Sequence, residues 1–291
     1  MGTPGCIGSQ LGPDQPCFVH TENDARAAAL GRFRDGGALD FVPGVELTEE
    51  LLAEVLAAAP TEDGRRILRD ADLRGVRFQG EARFDQASFQ GEAWFDGASF
   101  QRGALFGGAS FQRGAVFGGA SFKGAARFDE ASFRGPANFD RVRFQDNAGF
   151  GRVRFQDYAG FNGATFQGDA EFLGASFQGD AGFGGASFQG HAGFDRAIFA
   201  GGVEFFGASF QRDAVFGGAS FRGTTRFDEA VFQGDADFRA ASFHGDAGFG
   251  GASFQGKAWF DEASFAGEAD FRSASFHGEA RFEQVSGTIR R

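Results

Sequence analysis

The sequence predicts an all-β solenoid, and three observations predict it. Of the 42 phenylalanines, 38 stand in one register from Phe78 to Phe282, separated alternately by five and six residues. Two residues before each registered Phe stands Ala in 33 cases, the exceptions being Val76, Val142, Val153, Val203 and Thr225. β-structure puts residues i and i−2 on one face, so Ala and Phe point inward together. The third observation is the 48 glycines. A hendecad coiled coil shares the 11-residue period, but each glycine in a helix costs about 1 kcal/mol. Disordered Phe-Gly repeats would not need a small residue at a fixed place beside each Phe. The 291 residues are therefore read as one repeat array in which each coil rests on its neighbours.

Taken in order, residues 1–20 are rich in Gly and Pro and read as a loop. Thr21 with Asp24 and the Ala-rich run to Leu30, ended by Gly31, predicts a short helix. Thr48 caps a stronger one: Glu49 and Glu50 suit the helix dipole, Leu51, Leu52, Val55 and Leu56 make an apolar stripe, and Pro60 follows. Thr61 then starts a further helical turn through Ile67 and Leu68. The expected organisation is an N-terminal loop with short helices over 1–70 that cap the solenoid, repeats over 71–283, and a tail over 284–291.

Ala71-Asp72-Leu73-Arg74-Gly75, followed by many copies of Ala-Ser-Phe-Gln-Gly, resembles the pentapeptide-repeat family, whose unit is Ala-(Asp/Asn)-Leu-x-x. The resemblance covers about 210 residues, and it implies a right-handed quadrilateral β-helix with four short sides per coil. Alternate six-residue units stretch the coil from 20 residues to 22, giving about 9–10 coils and a rod of roughly 45 Å at a spacing near 4.8 Å. Phe89, Phe95, Phe100, Phe106, Phe177 and Phe183 should then lie in four stacks along the axis. Two opposite sides are expected to carry the five-residue units with Ser outward, and the other two the charges, with both signs mixed. The Gly after Ser-Phe-Gln is expected to supply positive φ at a corner. Asp169, His191, Asp213 and Asp235 should form one corner column.

The net charge of −11 divides as −6 over residues 1–70 and −5 over 71–291. Neither part shows the basic stripe that nucleic acid requires, so direct nucleic-acid binding is not expected. No run of about 18 apolar residues and no secretory signal pattern is present, which predicts a cytoplasmic protein without a membrane span. Arginine outnumbers lysine 26 to 2, which with the Ala and Gly content hints at a GC-rich bacterial genome.

Cys6, Cys17 and His20 form the candidate metal cluster, a zinc site lacking a fourth local ligand; no other cofactor is expected. The serines repeat identically with no base in register, so catalysis is not expected. Trp94, Val116, Leu105, Phe206 and Trp259 stand at outward positions that are otherwise polar. They are the candidate interaction surface, for the N-terminal helices in the case of Trp94 or for a protein partner. Trp259 is expected to stand alone. The open edge of the last coil leads to the expectation of a homodimer through the C-terminal end, or of a partial plug by Val285 and Ile289. The function expected is a non-enzymatic interaction scaffold. The resemblance implies an alternative, since some members of the family imitate duplex DNA and bind DNA gyrase, protecting it from quinolones.

Overall fold

The computed structural model describes residues 38–41 and 43–290. Two-residue strands recur every five or six residues, and each pairs in parallel with the strand 22 residues on: Ala93–Trp94 with Ala115–Val116, Ser99–Phe100 with Ser121–Phe122, Ala104–Leu105 with Ala126–Arg127, Ser110–Phe111 with Ser132–Phe133. These four ladders are the sides of a quadrilateral solenoid of about 10 turns. They are called sides I to IV in that order, I facing III and II facing IV across the axis.

Why this register wins is visible in the core. Phe89 stacks on Phe111 with centroids 4.6 Å apart and planes within 5°, so the rings repeat at the spacing of parallel strands. Phenylalanines of sides I and III also interlock across the axis. Phe84, Phe95, Phe106 and Phe117 meet edge to face in succession at 5.7, 5.5 and 5.6 Å. Offset stacking along one direction and edge-to-face contact across it both suit the ring quadrupole. Phe100, Phe177 and Phe183 are fully buried in the same columns, with their Ala partners.

The corners correct two expectations. Counted from Ala, the serine-bearing units hold six residues and the others five, so the additional residue lies in the corner after Ser-Phe. The five-residue units turn tightly instead. Ala98 N–H donates to Phe95 C=O at 3.0 Å, and Gly97 between them has φ 61°, as a type II turn requires. Positive φ recurs every 11 residues from Gly75 to Gln284 at this place, in non-glycines such as Gln86, Glu130 and Arg141 as well. The Gly of Ser-Phe-Gln-Gly is needed for another reason. A Cβ on Gly190 would lie 2.4 Å from the carbonyl oxygen of Gly168, one coil below. It is a close-approach glycine.

The ends also differ from the sequence reading. The helix Glu49–Ala58 forms as expected, with Thr48 Oγ1 accepting from Leu51 N–H at 3.2 Å and Leu51, Leu52, Val55 and Leu56 buried. No helical turn follows. Thr61–Glu62 and Arg65–Leu68 pair as an antiparallel hairpin whose turn residues Asp63 and Gly64 both have positive φ, the type I′ conformation that Asp-Gly favours. The described part of the expected cap is itself the first turn of the solenoid. Leu39 pairs with Ala71, Leu47 with Phe78 and Leu68 with Phe89, and the helix takes the place of side III. Phe41, outside the phenylalanine register, is buried beneath Leu73. At the other end the tail contains the strand Ser286–Arg290, and Val285 and Ile289 pack partly buried against the core. The strand pairs with Ser264–Asp270 and skips Ala266 and Gly267, so that Ile289 lies against Ala269. Cys6, Cys17, His20 and the helix expected after Thr21 lie outside the described residues.

Candidate functional site

The five apolar residues singled out by sequence are not brought together. Trp94 and Val116 are neighbours on side I, Leu105 and Trp259 lie on side III, and Phe206 stands at the corner between sides I and II. Trp94 is half-buried, and the described helix Glu49–Ala58 packs on side III rather than over it. The Arg74 guanidinium sits 5.9 Å over its ring and is bonded to Asp72. Trp259 does not stand alone either. Arg239 lies 5.3 Å over it, its Nε 2.9 Å from Asp237 Oδ1, and Lys257 is 5.7 Å away. In both cases Asp-x-Arg on one coil presents a cation to the Trp 22 residues after the Asp. These tryptophans are therefore satisfied within the chain.

The four large apolar side chains that remain exposed among the described residues are Tyr158, Leu173, Ile198 and Phe206, at 39–51%. The sequence reading passed over the first three. Their signal was departure from the column: the chain's single Tyr, and an Ile where the sequence repeats Ser. Tyr158 has a built seat. Its ring lies over Gly160 and Gly182, which leave the outward positions of two successive coils empty, and Asn162 Nδ2 donates to its hydroxyl at 3.0 Å. Beside it a groove of about 430 Å³ is lined by Asp180, Thr224 and the ion pair Glu204–Arg226 (3.2 Å).

The carboxylate columns have a structural task. At many corners one N–H points along the axis, and an Asp or Asn side chain of the preceding coil accepts it. Asp129 Oδ1 serves Gly151, Asp140 serves Asn162 and Asp180 serves Gly202, at 2.7–3.0 Å. The column Asp169, His191, Asp213, Asp235 works this way too. Asp169 accepts from His191 N–H, Asp213 from Asp235 N–H and Asp235 from Lys257 N–H. Among the described residues no group of three or more ligating side chains is placed to hold a metal ion.

The titration shifts fit a surface lattice rather than an acid–base pair. Burial raises the Asp96 and Asp195 carboxyls, and the hydrogen bond from Arg74 lowers Asp72. Asp270, bonded by Arg272, is lowered to about 2. The serines face outward, and Ser99 Oγ accepts from Gln101 Nε2 at 2.7 Å.

Only the coil register reveals how charge is distributed. Between residues 71 and 290, sides I and III with their flanking corners hold 25 of the 27 acidic side chains, the others being Asp146 and Asp157. Sides II and IV hold nine basic residues against those two acids. The expectation of mixed signs on sides I and III holds residue by residue, since Arg83 and Arg127 point outward on side III. The balance is nonetheless strongly acidic there and basic on the serine sides.

A family model described as pentapeptide repeats, nine copies, matches residues 66–110, 117–165, 161–209, 205–253 and 249–286. The chain belongs to the pentapeptide-repeat family. No curated protein and no solved structure matches it. Within this pentapeptide-repeat solenoid no helix of the described residues is long and apolar enough to cross a membrane.

Proposed function

We propose that this pentapeptide-repeat protein is a non-enzymatic scaffold whose long faces hold a protein partner. The observation that carries the reading is the segregation of charge, which turns four columns of short strands into two acidic and two basic faces. Such faces offer steering and register to a partner with complementary charge. Burial, hydrogen bonds and neighbouring charges account for the shifted carboxyls among the described residues. Affinity capture from a native lysate tests the proposal when the wild type is run beside Asp180→Lys/Asp246→Lys. A partner held equally by both, or by neither, counts against it.

Imitation of DNA towards gyrase remains the second reading, favoured by the acidic balance of sides I and III. Inhibition of gyrase supercoiling at micromolar protein would support it, and unimpaired supercoiling would remove it. A homodimer through the C-terminal end rests on strands Ser275–Phe276 and Ala280–Arg281, the last in their ladders among the described residues. Phe276→Lys should reduce such a dimer to monomer mass.

A further inference from the structure

Two of the four exposed apolar side chains lie at side IV, Leu173 at the corner leading onto it and Ile198 on its strand. Tyr158, at the corner leaving it, turns its ring over Gly160 and Gly182 of side I. At about 4.8 Å per coil Leu173 and Ile198 lie only about 5 Å apart along the rod. Ile198 is followed outward by Ala200, where neighbouring coils place Gln or Arg. Towards the N-terminus, Arg113, Arg134 and Arg154 stand exposed on successive coils of the same side, with no ion pair among the described residues. Towards the C-terminus, the corner shared with side I carries Asp246 and Glu268, the latter also meeting Arg290.

The charge is asymmetric along the rod as well. Residues 71–158 hold 12 basic and 10 acidic side chains, and residues 159–268 hold 6 and 14. Two rods laid side by side therefore repel less when antiparallel, which keeps the acidic stretches apart, than when parallel.

We propose that side IV is the interface of an antiparallel two-fold dimer of this chain. A two-fold axis perpendicular to the rods and level with Gly190 brings each side IV onto its own copy. Ile198 then falls within about 4 Å, along the axis, of the partner subunit's Ile198. Arg134 comes level with the partner subunit's Asp246 and Arg113 with the partner subunit's Glu268. Two-fold symmetry repeats both pairs at the other end. The result is an apolar centre with charged ends, the ordinary anatomy of a closed isologous contact. A side about 45 Å long and at most about 18 Å wide bounds the contact at about 800 Å² per partner, the size of a standard stable interface.

Sedimentation equilibrium of the full chain tests this, from low micromolar to about 100 µM at about 0.02 M and 0.5 M salt. The dimer mass is expected at low salt and should recede at high salt. Arg113→Glu/Arg134→Glu should weaken the dimer at least about tenfold, and Asp246→Lys/Glu268→Lys likewise, because each sets like charges together. An equimolar mixture of the two double variants should recover the dimer mass, since both ends are then complementary. Circular dichroism establishes that each variant is folded. Ile198→Lys supplies an independent break at the centre. Monomer mass for the wild type throughout overturns the proposal. So does a dimer that resists the Arg113/Arg134 change but dissociates on Phe276→Lys, because the contact then lies at the rod's end.

Discussion

Two glycines five residues apart, Gly185 and Gly190, separate the two reasons for glycine in this repeat. Gly185 has φ 62° and nothing within 4 Å of a Cβ built on it, whereas Gly190 would set its Cβ 2.4 Å from Gly168 O, 2.5 Å from its carbonyl carbon and 2.7 Å from Asp169 N. Gly185→Ala then meets only the left-handed backbone penalty, about 1–2 kcal/mol. The lower entropy of the unfolded alanine chain offsets about 0.4–1 kcal/mol of that. A net loss of about 1 kcal/mol is expected, in keeping with Arg196, Gln86 and Glu130 at equivalent positions. Gly190→Ala must open the gap to the coil below by about 1 Å, because ordinary contact begins near 3.4 Å. That gap is held by Gln189 N–H donating to Phe166 C=O at 2.7 Å and by the Phe166–Phe188 stack at 4.8 Å, planes within 1°. Overpacking of this kind costs about 1–3 kcal/mol and occasionally more, so the second variant should lie clearly below the first. Urea unfolding followed by circular dichroism gives both values, provided the m-value stays constant. Equal midpoints, or Gly185→Ala the less stable, would refute the assignment of close approach to the Ser-Phe-Gln-Gly corner.

Phe177 is fully buried and stacked on Phe155 at 5.0 Å and Phe199 at 4.8 Å. Phe177→Ala should cost about 3–5 kcal/mol; an unchanged unfolding midpoint would defeat the stacked-core account. In so linear a molecule it should also uncouple the two halves, seen as two unfolding steps. Asp140 Oδ1 accepts from Asn162 N–H at 2.7 Å and from its Nδ2 at 3.1 Å. Asp140→Ala should therefore cost about 1–3 kcal/mol and speed exchange of the Asn162 amide hydrogen, and unaltered exchange would remove its capping role. Asp270 is held at about 2 by Arg272. Since this lies below the ordinary carboxyl value of about 4, its contribution to stability is complete above about pH 4 and is lost as pH falls through 2. Arg272→Gln should raise the Asp270 titration, followed by carboxyl NMR, towards 4; a value still near 2 would discredit the pairing.

Much of the fold was legible because one constraint repeats. Ala and Phe two apart, again and again, leave a solenoid as the structure that buries every pair, and the 11-residue rhythm doubles into the 22-residue coil that pairs Phe89 with Phe111. The hairpin at Thr61–Leu68 was legible too, through Asp63-Gly64, but the neighbouring helix signal took precedence. The first turn was hidden because Leu39, Leu47 and Leu68 stand at irregular spacings, with the helix Glu49–Ala58 intervening. For the surface, the outward apolar residues singled out in the sequence include one, Phe206, that is exposed. Which of them stay exposed depended on cations a full coil away, such as Arg74 over Trp94 and Arg239 over Trp259.

By itself, then, the sequence determined the inward half of this protein: which side chains are buried, how many residues make a coil, and where the best helix begins. Those properties depend on contacts between near neighbours and on a period that can be counted. The tertiary structure decided the outward half. Residues 22 apart come within about 5 Å, and at that distance a carboxylate finds an N–H, a guanidinium finds a ring, and acids scattered evenly along the chain gather onto two sides. Two glycines that look alike in sequence are likewise told apart only when the coil beneath one of them is in place.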